Sequence, residues 1–294
     1  MNQKLLLPTN DFVFKKIFSE NTEVLSDFLQ AVLDLPAEEY QGLTVVDPNL
    51  EREYIEDKLG VLDVKVHTKS GKVIDVEVQV KSQRSIWKRM AFYTAKMLVE
   101  QVKSGDKYQQ INRVISILIA DFIMIKENDV YHNRFRLYDE RTQARFPDSM
   151  EIDVLEIPKL RETDGTPLGN WMRFFSATTE EDFMQAAQNN PAITKAWGVI
   201  KVLSGDERAR ALADAREKAR MDMDSWLDDA RYEGEERGMI KGRQEGRQEG
   251  RQEEKQEVAR NLLQMNIPLE NIVKATGLSL AEVERLAAEL THRH

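Results

Sequence analysis

Residues 61–81 constrain the fold of this chain more than any other segment. Their sequence, VLDVKVHTKSGKVIDVEVQVK, contains two stretches in which apolar and polar residues alternate. A period of two is the pattern of a β-strand that buries one face. The stretches are separated by Lys69, Ser70 and Gly71, and a glycine suits the left-handed position of a three-residue hairpin loop. The segment therefore predicts an antiparallel β-hairpin.

The length of the loop decides which residues of the hairpin face each other. A three-residue loop pairs Val64 with Val76 and keeps the faces consistent, whereas a two-residue loop would put Val64 opposite Glu77. The three-residue register places Asp63 opposite Glu77, with Cβ atoms about 4.5–5.5 Å apart. Two carboxylates at that spacing repel unless a cation lies between them, and their oxygens suit Mg²⁺. A polar strand face that simply meets water is the alternative interpretation, and the pair alone leaves both open.

The segments around the hairpin predict a single α/β domain through about residue 160, with further helices packed on it. Helical periodicity and strand-like runs follow one another along the chain, in the order helix, strands, helix, strand. Helices are predicted over 9–34 and 84–103 and from Gly169 onward, and strands near 111–120, 132–138 and 150–157.

Composition excludes several classes of site. The chain has 294 residues and a net charge of −9. It has no cysteine, and this absence excludes disulfides, thiolate zinc sites and cysteine catalysis. It has only four histidines and contains neither a GxxxxGK(S/T) phosphate loop nor a GxGxxG fingerprint. Any chemistry must therefore rest mainly on carboxylates, amides and basic side chains. No apolar run approaches the roughly 20 residues of a membrane helix, so no membrane contact and a cytoplasmic location are expected.

Three segments carry a resemblance to a known family. They are PTNDFVFKKIF at 8–18, the strands LDVKV at 62–66 and VEVQVK at 76–81, and the helix IWKRMAFYTAKML at 86–98. Together they resemble the Rpn-type recombination-promoting nucleases, also described as transposase-like PD-(D/E)XK proteins, over most of residues 8–180. The resemblance implies a restriction-endonuclease-like core, a mixed sheet flanked by helices. It also implies a metal-dependent DNA endonuclease (a hydrolase of phosphodiester bonds) with little sequence specificity that promotes DNA recombination.

The resemblance assigns roles to residues of the hairpin. Asp63 and Glu77 would be the metal ligands, for Mg²⁺ or alternatively Mn²⁺ or Ca²⁺. Gln79 stands where most PD-(D/E)XK nucleases have lysine, although the E-x-Q form is usual in this branch. Glutamine can position water or phosphate by hydrogen bonds but supplies no charge, which Lys81 on the same face could provide. Asp11 matches an acidic family position and could add an outer-shell contact at the metal site. The alternative role of Asp11 is a favourable negative charge at a helix N-terminus.

The helix after the hairpin offers a candidate surface for nucleic acid. Arg89, Tyr93 and Lys96 share one helical face by their i, i+4 and i+7 spacing. A basic face beside the metal could hold backbone phosphates, and an ordinary exposed helix face is the alternative. The apolar residues of this helix are expected to lie in the core rather than to stack on bases: Trp87, Met90, Ala91 and Leu98.

The last third of the chain contains a repeat, GRQE, three times over residues 242–253. In a helix, a period of four gathers the arginines into one column and the glutamates into another. Like-charge columns do not stabilise a lone helix, and each glycine costs about 1 kcal/mol relative to alanine. Pairing with a second chain, Arg column against Glu column, would relieve this. A flexible charged linker is the alternative.

Three domains are predicted from these features, together with a homo-oligomer formed through the C-terminal region. The final block regains amphipathic periodicity, with Gly277 as a helix stop and Ser279 as the next cap. The predicted domains are 1–200, the nuclease-like domain with packed helices; 201–257, a charged helical or flexible linker; and 258–294, a small helical oligomerisation or partner-binding module.

A second class of function competes with the enzyme. A protein of this fold could have lost efficient chemistry and serve as a transposase-like DNA-binding or assembly protein. Such a protein would be expected to lose a carboxylate first. Because Asp63, Glu77 and Gln79 are all present, the nuclease is the favoured prediction.

Overall fold

The computed structural model describes residues 5–46, 64–147, 149–161 and 164–291. Contacts within the chain divide it into two compact units, 1–219 and 220–294. The three-part division predicted from the sequence stays a prediction. Within the part of the chain that the structure describes, no helix is both long enough and apolar enough to cross a membrane.

The first unit is built on a mixed β-sheet, as predicted. In the described residues the strand order is β1-β2-β3-β4-β6-β5. The pairs β3–β4 and β4–β6 are parallel, and the other pairs are antiparallel. The strands are β1 Thr44–Val46, β2 Val64–His67, β3 Val73–Gln79, β4 Val114–Ala120, β5 His132–Phe135 and β6 Met150–Glu156.

Helices occupy the segments where the sequence predicts them. Asn10 caps the first helix by accepting a hydrogen bond from the backbone N–H of Phe12 (3.1 Å). The helices are α1 Asp11–Ser19, α2 Thr22–Val32, α3 Ile86–Val99, α4 Pro167–Ser176, α5 Glu180–Ala186, α6 Pro191–Gly205, α7 Glu207–Gln264, α8 Leu269–Thr276 and α9 Leu280–Thr291. Short 3₁₀ turns lie at Ala37–Tyr40, Tyr108–Gln110 and Ile157–Lys159.

The second unit shows the predicted helix boundaries of the C-terminal block. Gly277 ends α8 with φ of +67°, the left-handed conformation typical of a helix C-terminus. Ser279 precedes α9, and its backbone N–H and hydroxyl both donate to Glu282 (2.8 and 2.7 Å). The GRQE repeat lies within the helix α7. A small apolar cluster holds this block together: Ala259, Ile272, Leu278, Val283 and Leu286.

The two faces of the sheet in the first unit have different coverings. The main core lies on the face that packs against α1, α2, α4 and α6, and it includes Ile74, Val76 and Val78 of β3. Helix α3 covers the other face, where Met97 packs on Val73 of β3. Because successive side chains of a strand alternate between faces, the polar residues of β3 project toward α3. This arrangement positions the candidate site.

The hairpin register predicted from the loop length is confirmed. Val64 pairs with Val76 and Val66 with Ile74. Gly71 has φ of +88°, and a Cβ added there would lie 2.8 Å from the side-chain amide nitrogen of Asn112. The backbone conformation therefore favours glycine at this turn, whereas the side-chain amide of Asn112 could shift away from an added Cβ.

Glu39, in the 3₁₀ turn after α2, fastens the hairpin loop to the rest of the unit. Its carboxylate accepts hydrogen bonds from Thr68 Oγ1 (2.6 Å), Ser70 Oγ (2.9 Å) and Lys72 Nζ (2.6 Å). Burial alone would raise the pKa of Glu39, but the hydrogen bonds from Lys72, Thr68 and Ser70 outweigh it and lower the pKa from 4.5 to about 2. The folded state therefore favours the ionised carboxylate.

Replacing Glu39 by glutamine is expected to destabilise the first unit by about 1 kcal/mol at pH 7, because charge-assisted hydrogen bonds are lost. Since the folded pKa is below the unfolded one, the stabilisation is complete above about pH 4.5 and disappears as the pH falls toward 2. Urea unfolding at pH 7 and at pH 3 measures both effects. Glu38→Gln, one residue away on the exposed side, is the control and should change little at either pH. A loss at pH 3 as large as that at pH 7 would contradict this account.

Candidate active site

Strand β3 carries three polar residues toward α3, at alternating positions. Asp75 is buried, whereas Glu77 and Gln79 are half-buried and retain contact with solvent. Glu77 lies level with Leu118 of β4 and Gln79 with Ala120. The two solvent-accessible polar residues therefore lie toward the carboxyl ends of parallel strands, the edge where open α/β sheets bind ligands.

Glu77 is the centre of a compact polar cluster. Gln79 Nε2 donates a hydrogen bond to Glu77 Oε1 (2.7 Å), and the guanidinium of Arg89 donates to the same oxygen. Arg89 also donates to Gln83 Oε1 (3.4 Å) in the loop between β3 and α3. A half-buried guanidinium beside a half-buried carboxylate fixes the orientation of the carboxylate and compensates its charge.

The predicted partner of Glu77 lies outside the described residues. Asp63 directly precedes Val64, and Val64 pairs with Val76, which directly precedes Glu77. The opposition of Asp63 and Glu77 stays a prediction. Lys81 follows β3 and is exposed.

The other predicted site residues are distributed over both faces of the sheet. Arg89, Tyr93 and Lys96 are all half-buried on one flank of α3. Lys96 Nζ lies 3.9 Å from Glu100, whose other oxygen lies 3.4 Å from a lysine of β2. Asp11 begins α1 on the opposite face of the sheet and pairs with residues of α1 and α7, namely Lys15 (3.8 Å) and Arg216 (3.3 Å).

The expectation that four apolar residues of α3 lie in the core is wrong for Trp87 and Ala91. Trp87 does not lie in the core: 40% of its surface is exposed, and its ring contacts the ring of Phe135 on β5. Met90 is buried as expected, whereas Ala91 is exposed and Leu98 only partly buried. The buried face of α3 is narrower than its apolar composition suggests, since the sheet beneath it ends at the four-residue edge strand β5.

Sequence reasoning also missed a buried ionic network on β5 and β6. Asp153 and Glu151 on β6 are both buried; Asp153 contacts Arg134 of β5, and Glu151 contacts Arg136, which follows that strand directly. The signal was present in the sequence as charges alternating with apolar residues, in RFR at 134–136 and in MEIDVLE at 150–156. This ionic network bears on the stability of the domain rather than on the candidate site, because Asp153 and Glu151 project to the face of the sheet opposite Glu77.

The donors of the cluster fit a hard divalent cation. The carboxylate of Glu77 and the amide oxygen of Gln79 are the oxygen ligands that Mg²⁺ prefers, and Glu77 is accessible to solvent. Gln79 would have to turn its amide to present oxygen, because its nitrogen now faces Glu77. Within the described residues, no three carboxylates, histidines or cysteines are grouped to hold a metal.

A hairpin with an acidic residue in its second strand, followed by a helix and a parallel strand, is the arrangement of a PD-(D/E)XK nuclease. The chain matches the family described as PD-(D/E)XK nuclease family transposase over residues 8–230 of its 294 residues. It belongs to this family, and the resemblance noted in the sequence is confirmed. No curated protein and no solved structure gave a significant match. Membership supports a nuclease-like function with DNA as substrate, and nucleases of this class generally use divalent metals.

Proposed function

We propose that the protein is a divalent-metal-dependent DNA endonuclease that hydrolyses phosphodiester bonds with little sequence specificity and thereby promotes recombination. Asp63 and Glu77 hold the metal, which is Mg²⁺ with Mn²⁺ or Ca²⁺ as alternatives, and Gln79 positions water or phosphate. The observation that carries the proposal is the clustering of Glu77, Gln79 and Arg89 where β3 meets α3. The family match supports the same reaction.

The chemistry can be assigned to the side chains of the site. A bound divalent ion supplies activation of water and neutralisation of charge on the phosphate. Arg89 holds the carboxylate of Glu77 in a fixed orientation. Gln79 orients water by hydrogen bonds but cannot take up its proton. Lys81, exposed just beyond β3, places a positive charge where the scissile phosphate approaches.

The C-terminal region is proposed to assemble the protein into homo-oligomers. The side chains of the repeat are almost all exposed on α7. The arginines and glutamates form separate columns along the helix: Arg243, Arg247 and Arg251, and Glu245, Glu249 and Glu253. In a dimer, the arginine column of one helix would lie against the glutamate column of the other, and the opposite charges would compensate each other.

Nicking of supercoiled plasmid by the purified full chain tests the nuclease. Cleavage is expected with Mg²⁺, not with EDTA, and is expected to disappear in Asp63→Ala. Cleavage that persists in EDTA or in this variant would overturn the proposal. An inactive wild-type protein that still bound DNA would favour the alternative, a DNA-binding or assembly protein of the same fold.

A further inference from the structure

The segment from the end of β3 through α3 is strongly basic in an acidic protein. Residues 80–99 contain five basic and no acidic side chains, whereas the whole chain has a net charge of −9. Two of the basic residues, Arg84 and Lys88, are exposed at the beginning of α3. A local positive surface of this kind attracts a polyanion whatever the net charge of the protein.

An aromatic pair lies at the same end of α3. Trp87 and Phe135 are 40% and 42% exposed, and their ring centroids are 5.4 Å apart with planes at 81°. Each ring lies next to a residue of one apolar cluster: Ile86, which is buried in that cluster, directly precedes Trp87, and Phe135 pairs with Ile152 at the rim of the cluster. The two rings are therefore held edge to face while much of their surface remains in water.

The aromatic pair and Glu77 lie on opposite flanks of α3. Trp87 and Arg89 are two residues apart, which separates their side chains by about 200° around the helix. Along the sheet, Glu77 is on β3 and Phe135 on β5, three strand positions away, which corresponds to about 14 Å. The beginning of α3, with Arg84 and Lys88, belongs to the same surface. A nucleic-acid strand that crosses this end of the helix would span only a few nucleotides between the two places.

We propose that Trp87 and Phe135 form a platform for unpaired nucleobases, and that Arg84 and Lys88 hold the phosphates that lead from it to Glu77. The substrate class would then be DNA with a single-stranded segment beside the scissile bond, such as a flap, a gap or a free single strand. This inference rests on the proposed nuclease function. Exposed aromatic rings beside cations are how proteins bind single strands without sequence preference, because every base has a π-face. In a duplex those faces are covered by neighbouring bases.

Fluorescence anisotropy with the full chain in EDTA tests the platform without cleavage. The probes are a labelled oligo(dT) of 16 nucleotides and a duplex of equal length. Trp87→Ala and Phe135→Ala are each expected to weaken oligo(dT) binding about tenfold, with less than a twofold change for the duplex. Trp87→Phe, which retains a ring, should recover most of the affinity. Tyr108→Ala is the matched control, because Tyr108 is an aromatic residue of the same unit that is 83% exposed.

The outcomes separate the platform from the nuclease. Unchanged oligo(dT) binding in both alanine variants, or an equal loss for oligo(dT) and duplex, would overturn the platform. Urea unfolding of each variant shows whether a loss of affinity comes from misfolding. If Trp87→Ala does not fold, oligo(dT) binding by Trp87→Phe still tests the platform, because this variant retains a ring. If the wild type binds oligo(dT) through Trp87 but cleaves no DNA with any metal, the platform stands and the nuclease proposal fails. If it cleaves duplex and flapped DNA equally, and Trp87→Ala does the same, the platform fails and the nuclease stands.

Discussion

Replacing Glu77 by glutamine is expected to lower the rate of metal-dependent DNA cleavage by about 100- to 1,000-fold. Glutamine keeps the size of the side chain and one oxygen but removes the negative charge that a divalent cation requires. The variant should also bind Mn²⁺ more weakly in calorimetry, which is a measurement independent of cleavage. A modest loss of stability is expected as well, because the half-buried guanidinium of Arg89 loses its charged partner.

A second carboxylate of the first unit, one at the other end of α3, provides the control for this substitution. Glu100, at the end of α3, also makes ion pairs with two lysines, Lys65 and Lys96, and its side chain is more exposed. Glu100→Gln should retain cleavage within about twofold, because surface ion pairs contribute little to folding stability and Glu100 is not a proposed metal ligand. Equal losses in Glu77→Gln and Glu100→Gln would show that general charge on this face matters rather than a ligand. Full activity of Glu77→Gln would remove Glu77 from the site.

The hairpin could be predicted because its information is local. Alternation identifies the two strands, and the loop ending in Gly71 permits one register that keeps their faces consistent. The same reasoning identified Glu77 and Gln79 as neighbours on one face. Resemblance to the family added an expected role for these residues, which spacing alone did not determine.

The contacts of α3 could not be predicted, because they depend on how the helix is rotated against the sheet. Its spacing grouped Arg89 with Tyr93 and Lys96 on one face, which stays a predicted phosphate-binding face, but spacing did not reveal that Arg89 contacts Glu77. The apolar character of Trp87 indicated burial, but the short edge strand β5 leaves its ring at the rim. Both outcomes follow from tertiary packing, which sequence periodicity does not contain. In the resulting arrangement, the guanidinium of Arg89 donates to Glu77 Oε1, an oxygen that a divalent ion bound by Glu77 could also use.

The buried network on β5 and β6 is the other feature that the sequence did not reveal. Asp153 is fully buried, and its Oδ1 accepts a hydrogen bond from Arg134 Nε (2.9 Å) and lies 2.7 Å from His132 Nε2. Arg134 also contacts Asp34 and donates to the carbonyl of Val32 at the end of α2 (2.6 Å). Burial alone would lower the pKa of Arg134, but the hydrogen bond and charge of Asp153 outweigh it and raise the pKa. Edge strand β5 is thereby tied to both β6 and α2.

Replacing Asp153 by alanine is therefore expected to destabilise the first unit by about 3–5 kcal/mol, because it leaves a mostly buried guanidinium without its principal counter-charge. Asp34→Ala is the matched control: it removes the other carboxylate that contacts Arg134, but the Asp34 side chain is 82% exposed, so the loss should stay below about 1 kcal/mol. Urea unfolding followed by the fluorescence of Trp171 and Trp197, both buried in the first unit, measures the difference. Similar losses in the two variants would show that burial does not determine the contribution of this pair. Combining Asp153→Ala with Arg134→Met should cost less than the sum of the single changes, since the charge stranded by the first is removed by the second.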